Sequence, residues 1–329
     1  MKNLIVILGP TGVGKTELSL QMAERLDAPI LSADSRQIYR DLPVCTAAAT
    51  QAQQKRARHF FVGTKNLEDT YSAAQFETDA LDVITNEPSD NLILCGGSMM
   101  YIDAVCRGID DMPQADPAIR ERLKQEISQY GLDHLLTQLR ELDPEYYEKV
   151  DRHNTQRVLH GLEMCLTTGQ PFSSFRTGQK KERPFNIYKI GITRTREEMY
   201  NRIDLRVQQM LNDGLIDETR AVYDKYSDII SLQFRNVVRN PGPTQAQPIP
   251  NLTPSVLNTV GLKEMLLHFE GIYTLDRAVE RICHNTHIYA KKQMTWFQRD
   301  NEIHWFTPEN AEEALNFGIL SATARKNML

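Results

Sequence analysis

Residues Leu4–Leu18 read LIVILGPTGVGKTEL. The apolar run Leu4–Leu8 has the length of a buried strand, and Gly9–Thr16 matches G-x-x-x-x-G-K-[ST]. In that pattern the glycines permit a tight turn whose N–H groups face an anion. Lys15 adds a point charge, and Thr16 can hold Mg²⁺. A strand before the loop and a helix after it supply the context that a bare pattern match lacks. The usual occupant of such a loop is a nucleoside triphosphate.

Working outward, Glu17–Leu26 has helical spacing, and Pro29–Ala33 reads as a second strand. Asn91–Cys95 reads as a third strand, running into Gly96-Gly97. This is the opening of an α/β fold, and parallel sheets bind ligands beyond the carboxyl ends of their strands. Three stretches are therefore candidate site edges: Gly9–Thr16, Asp34–Tyr39 and Gly96–Tyr101.

After Met112-Pro113 the pattern changes. Asp116 reads as a helix cap with Pro117 as the first helical residue and Gly131 at the far end. Leu132–Leu142 and Asn154–Thr168 read as further helices, the latter stopped by Gly169-Gln170-Pro171. The expected organisation is an α/β core from 1–112 and 186–329, interrupted by an all-helical insertion over 113–185. Phe185–Thr193 returns to a strand pattern. Thr195–Asn212 is an amphipathic helix with Met199, Ile203, Val207 and Met210 in one stripe and Gly214 beyond its end. Asp276–Asp300 has a long helical pattern, and Gln233–Pro254, with five prolines, reads as a loop.

Composition fits a soluble globular chain: 329 residues, 41% hydrophobic and 25% charged, with no apolar run of membrane-spanning length. Five scattered cysteines without a C-x-x-C pair point to a reducing compartment, so a cytoplasmic location is expected. The net charge of −5 gives no global support to a nucleic-acid partner. Locally, Arg176–Arg206 holds nine Lys/Arg against four Asp/Glu, which suits either a phosphate-backbone stripe or a solvated charged face.

A nucleotide hydrolase normally adds a strand ending in Asp to hold the metal shell. The candidate strand here ends in Gly96-Gly97-Ser98, and no N-K-x-D guanine motif occurs, which weakens the triphosphate reading. Asp34, at the second strand end, is a general base or metal ligand, or else a turn aspartate. Ser98 can aim a hydroxyl into the same cleft, or simply start a helix. Arg202 and Arg206, four apart, can reach a phosphate or pair with Glu198 and Asp204. Cys283, His284 and His287 lack the further ligand a zinc site needs.

Taken together, GPTGVGKT, DSRQIY (Asp34–Tyr39), GGSMMY (Gly96–Tyr101), HNTQR (His153–Arg157), NRIDLRVQQML (Asn201–Leu211) and YAKKQMTWF (Tyr289–Phe297) resemble one family. It is the tRNA dimethylallyltransferases, also called tRNA isopentenyltransferases, whose motifs occur here in family order from Leu4 to Trp305. The resemblance implies a P-loop NTPase-like parallel sheet flanked by helices. It also implies transfer of a dimethylallyl group from dimethylallyl diphosphate to N6 of the adenosine 3′ to the anticodon, in tRNAs reading codons that begin with U. By the same resemblance Gly9, Pro10, Thr11, Gly12, Val13, Gly14, Lys15 and Thr16 hold the donor diphosphate, with Mg²⁺ on Thr16. Arg206, with Arg202, grips the leaving group; Asp34 accepts the N6 proton or hydrogen-bonds N6, and Ser98 sits beside it. Ser35, Arg36 and Gln37 line a flipped adenine. Arg120, Asn154, Gln156 and Arg157 face the tRNA anticodon stem-loop from the insertion. No membrane and no obligatory protein partner are implied.

The chain departs from the family pattern at Ser98, where Thr is usual, at His287, where Arg is usual, and at Arg58-His59-Phe60, where a His-His pair is usual. Three rival readings are an adenylate isopentenyltransferase, a nucleotide or small-molecule kinase, and a catalytically silent tRNA-binding paralogue. The insertion counts against the first and the missing strand-end Asp against the second. Lys15, Thr16, Asp34 and Arg206 count against the third.

Overall fold

The computed structural model describes residues 1–113, 115–239 and 254–323. Among them, six strands form one parallel sheet in the order β3–β2–β4–β1–β5–β6. They are β1 (Lys2–Leu8), β2 (Ile30–Ala33), β3 (His59–Phe60), β4 (Asn91–Gly96), β5 (Phe185–Ile192) and β6 (Ile303–Phe306). β1 lies between β4 and β5, and Leu4, Ile5, Val6 and Ile7 are wholly buried, which is why it reads as one apolar run. Alternation sends its side chains to two cores. Ile5 and Ile7 pack with Leu18 and Met22, whereas Leu4, Val6 and Leu8 pack with Phe76 and Ile102.

The contacts divide the chain into two compact units, Met1–Cys106 with Arg183–Leu329, and Arg107–Glu182. The first carries the sheet. Its early helices are α1 (Lys15–Leu26), α2 (Gln51–Arg56), α3 (Ala73–Asn86) and α4 (Met99–Arg107). Where the chain returns, Arg183 is buried. It donates to the Ala104 and Val105 carbonyls at 2.6 and 2.9 Å and pairs with Glu77 at 2.6 Å, so it caps the end of α4.

The second unit contains α5 (Pro117–Tyr130), α6 (Leu132–Leu142), α7 (Pro144–Lys149), α8 (Thr155–Thr168) and α9 (Phe172–Phe175) around a core of Leu123, Leu135, Leu139, Val158 and Leu162. Asp116 and Asn154 cap α5 and α8 by accepting the N–H groups of Ala118 and Arg157. The buried Asp143 accepts from Tyr146 N–H and from both the N–H and the hydroxyl of Ser173, so α7 and α9 share one carboxylate. The unit's two ends meet, Lys181 N–H donating to the Arg107 carbonyl at 2.7 Å.

The sheet unit then continues with α10 (Arg196–Asn212), α11 (Leu215–Arg239), α12 (Pro254–Leu257), α13 (Leu262–Phe269), α14 (Leu275–Phe297) and α15 (Ala311–Thr323). Thr195 and Glu198 form a capping box on α10, and Thr274 caps α14. α11 runs to Arg239, past the start expected for the proline-rich loop, and 240–253 lie outside the described residues.

Candidate active site

The sheet order places β2, β4 and β1 side by side, so the three strand ends singled out in the sequence share one rim. The β2 and β4 ends touch closely. A side chain on Gly96 would bring its Cβ to 2.1 Å from the Ala33 carbonyl oxygen, so only glycine fits there.

After β1 the loop turns through glycines with φ of 145° at Gly9, 83° at Gly12 and 106° at Gly14 before α1 begins. Lys15 curls beneath it, Nζ donating to the Gly9 and Pro10 carbonyls at 2.9 and 2.7 Å. This ammonium is lowered from 10.5 to about 8: burial dominates and is opposed by Cys95, while the Arg206 charge adds to the lowering and Asp34 opposes it. Arg202 Nε donates to the Gly12 carbonyl at 2.8 Å. Arg206 Nη1 donates to Thr11 Oγ1 at 3.2 Å and Nη2 to the Thr46 carbonyl at 3.3 Å, and burial lowers its pKa as well. Thr16, on the first turn of α1, is exposed.

Asp34 stands at the rim and takes the turn role that the sequence allowed it. Its Oδ1 accepts the N–H groups of Arg36 and Gln37 at 2.9 and 3.3 Å, an Asx-type turn that fixes the carboxylate against the cavity wall. Ser98 is buried; its hydroxyl accepts the Ser35 N–H at 2.8 Å and lies 3.1 Å from Ser35 Oγ. It thus reaches the cavity through Ser35. Gln37 accepts from Ser32 Oγ and donates to the Ala47 carbonyl, bracing the segment that presents Thr46 to Arg206.

A cavity of about 200 Å³ joins these groups. Its polar wall carries Thr11, Asp34, Arg36, Thr46 and Arg206, and its apolar wall carries Ile203, Val207, Met210 and Ile282. Two cations and one carboxylate beside an apolar chamber suit an anion attached to a small hydrocarbon. The basic cluster of Arg176–Arg206 does not form one stripe. Arg183 and Lys189 are buried in ion pairs with Glu77 and with Asp300 and Glu302, while Arg202 and Arg206 turn to the phosphate loop.

Gln293 and Arg194 are site residues that sequence reasoning missed. Gln293 is 2% exposed; its Oε1 accepts the Thr11 N–H at 2.9 Å and its Nε2 donates to the Gly97 carbonyl at 2.8 Å. Arg194 Nε donates to the Val13 carbonyl at 3.1 Å. The signal for Gln293 was its spacing from Tyr289, which places two polar residues on one face of α14, and Tyr289 borders the cavity. His287 stacks on Tyr200 with ring centroids 4.0 Å apart and lies 2.9 Å from Asp204 Oδ1, so it faces α10. Among the described residues no group of three His, Cys, Asp or Glu side chains is placed to hold a metal.

In the helical unit Arg120 forks onto the buried Glu163 at 2.7 and 2.5 Å, and Asn154 is occupied as the α8 cap. Gln156 and Arg157 are exposed on the first turn of α8.

The IPP transferase family model matches residues 37–300. A tRNA dimethylallyltransferase 2 from Porphyromonas gingivalis is 52% identical over 308 residues, covering 93% of this chain and 94% of its own. Another tRNA dimethylallyltransferase 2, from Parabacteroides distasonis, is 48% identical over 314 residues, covering 95% and 96%. The crystal structure of the full-length tRNA isopentenylpyrophosphate transferase from Bacillus halodurans superposes with a TM-score of 0.66 at 29% identity, covering 100% of this chain and 99% of its own. A eukaryotic dimethylallyltransferase acting on tRNA shares the fold, with a TM-score of 0.78 at 23% identity over 99% of this chain and 80% of its own. Matched over most of its length and aligned nearly end to end with these enzymes, the chain belongs to the IPP transferase family.

Proposed function

We propose that this protein transfers the dimethylallyl group of dimethylallyl diphosphate to N6 of the adenosine 3′ to the anticodon, in tRNAs reading codons that begin with U. One observation carries the reading: a single cavity brings Arg206 beside the phosphate loop, the strand-end carboxylate and an apolar wall together. A nucleotide hydrolase has no use for the apolar wall, whereas a five-carbon isoprenoid fills it.

In this scheme the donor diphosphate lies along Gly9–Thr16, where Lys15, Arg202 and Arg206 supply positive charge. The dimethylallyl tail rests on Ile203, Val207, Met210 and Ile282. A flipped adenine enters beside Ser35 and Arg36, with Gln37 behind them, and presents N6 to Asp34. The N6 lone pair forms a bond to C1 as the C1–O bond breaks, and the diphosphate leaves with that electron pair. The N6 proton passes to Asp34. Arg206 and Lys15 hold the charge that develops on the leaving group. The exposed Thr16 hydroxyl is a hard oxygen donor that suits Mg²⁺, an ion that keeps several waters and takes phosphate oxygens. Mg²⁺ bound there supplies further charge stabilisation to the diphosphate. Gln156 and Arg157 contact the tRNA, with Arg120 and Asn154 holding their helix in place.

The test is to incubate the protein with Mg²⁺, radiolabelled dimethylallyl diphosphate, and either tRNA or adenosine monophosphate. Label in tRNA alone is expected. Label in the monophosphate, or in neither, overturns the assignment.

A further inference from the structure

The phosphate loop is held by its carbonyl oxygens. Lys15 takes those of Gly9 and Pro10, Arg202 that of Gly12 and Arg194 that of Val13. Cations on the carbonyls leave a loop of this type to point its N–H groups at an anion. Thr11 breaks the pattern. Here the N–H itself is taken, and its partner is the neutral carboxamide of Gln293 at 2.9 Å.

Gln293 has little freedom to let go. It is 2% exposed, and its far end is tied to the Gly97 carbonyl at 2.8 Å. Even a methyl group on Gly97 would come 2.3 Å from Gln293 Nε2, so the carboxamide fills the space beside that glycine. The Thr11 hydroxyl is engaged too, by Arg206 at 3.2 Å. Both polar handles of Thr11 are therefore occupied by protein in the leading half of the loop. The Lys15–Thr16 half opens directly into α1, whose first turn offers its amides to an anion.

Each loop amide bonded by a side chain is one fewer for a phosphoryl oxygen. We propose that Gln293 is a specificity-determining residue: by withdrawing the Thr11 amide from the loop's anion-facing donors, it limits the loop to two phosphoryl groups. A diphosphate ester is held along the rest of the loop, and a triphosphate is refused at its third phosphoryl. The inference rests on the diphosphate reading given above and supplies its physical basis within a sequence pattern that otherwise signals a triphosphate.

Binding of inorganic diphosphate and of inorganic triphosphate, each with Mg²⁺, is measured by calorimetry on the full chain. Wild type should prefer diphosphate by roughly tenfold or more, about the worth of one hydrogen bond to a charged group. Gln293→Met, which keeps the volume and removes both bonds, should bring that ratio close to one and speed hydrogen exchange at the Thr11 amide. Gln293→Glu keeps an acceptor for Thr11 N–H and should retain the preference while weakening both anions through its charge. It also serves if the Met variant is unfolded. A ratio unchanged in Gln293→Met, or lost in a folded Gln293→Glu, overturns the inference. Wild-type binding of both anions with equal affinity defeats this inference alone, whereas no wild-type binding of diphosphate removes the diphosphate reading with it.

Discussion

With the diphosphate along the loop as proposed, Lys15 makes donor binding a proton-linked event. Its ammonium is lowered from 10.5 to about 8, chiefly by burial. At 1.36 kcal/mol for each tenfold change in proton affinity, the charged form is destabilised by roughly 3 kcal/mol relative to water. A bound diphosphate supplies the counter-charge that burial withholds, so the pKa rises on binding. The sign follows. Below pH 8 Lys15 is already charged in the free protein and affinity is flat. Above pH 8 a proton must be taken up, and affinity falls by up to about tenfold per pH unit until the pKa of the complex is reached. The free protein behaves in the opposite sense. Its unfolded chain binds the extra proton between about 8 and 10.5, so stability rises with pH across that window by up to roughly 3 kcal/mol from this residue. Calorimetric titration of diphosphate at pH 7.5 and 9.5, in two buffers of different ionisation enthalpy, reads both affinity and proton uptake. Lys15→Met is the control that should show neither slope. An affinity that is level from pH 7.5 to 9.5, with no proton taken up, would refute the reasoning.

Other perturbations separate chemistry from scaffold. Asp34→Ala should lower the transfer rate by about 10²–10⁴-fold, the usual worth of a general base, while tRNA binding measured by filter retention stays within a few-fold; parallel loss of both would make Asp34 purely structural. Arg206→Leu should cost about 10²–10³-fold in turnover with dimethylallyl diphosphate, since it removes a donor from the leaving group. Gly96→Ala drives a methyl group to 2.1 Å from the Ala33 carbonyl and should lower unfolding free energy by about 3 kcal/mol in urea titration. Glu77→Ala strands the buried Arg183 and should cost about 3–5 kcal/mol by the same measurement.

The parts of the fold that were legible in the sequence are those set by local rules. β1 announced itself because burial on both faces demands an unbroken apolar run. Asp116 announced its helix because a cap is read from one side chain and its neighbours, and Asn154–Thr168 and Thr195–Asn212 announced theirs by helical spacing. The rim of strand ends followed from parallel topology alone. What stayed hidden depends on partners far apart in the chain. β3 and β6 pair over two and four residues, too few for any period to show, and exist because β2 and β5 offer them edges. Gln293 meets Thr11 across most of the chain's length, so no window of sequence contains both ends of that bond. The charge count over Arg176–Arg206 left two readings open for the same reason, because Glu77, Asp300 and Glu302, which neutralise Arg183 and Lys189, lie outside the counted stretch.

The hydrogen bond from Lys181 to the Arg107 carbonyl has a practical corollary. A module whose entry and exit are joined by one backbone hydrogen bond leaves two chain ends close enough to be rejoined. The excised length also carries its own buried leucines and its own helix caps. Residues 107–182 therefore have the attributes of a cassette, and circular dichroism of that fragment expressed by itself should show a helical, cooperatively melting unit. The junction left behind needs only a short turn to close.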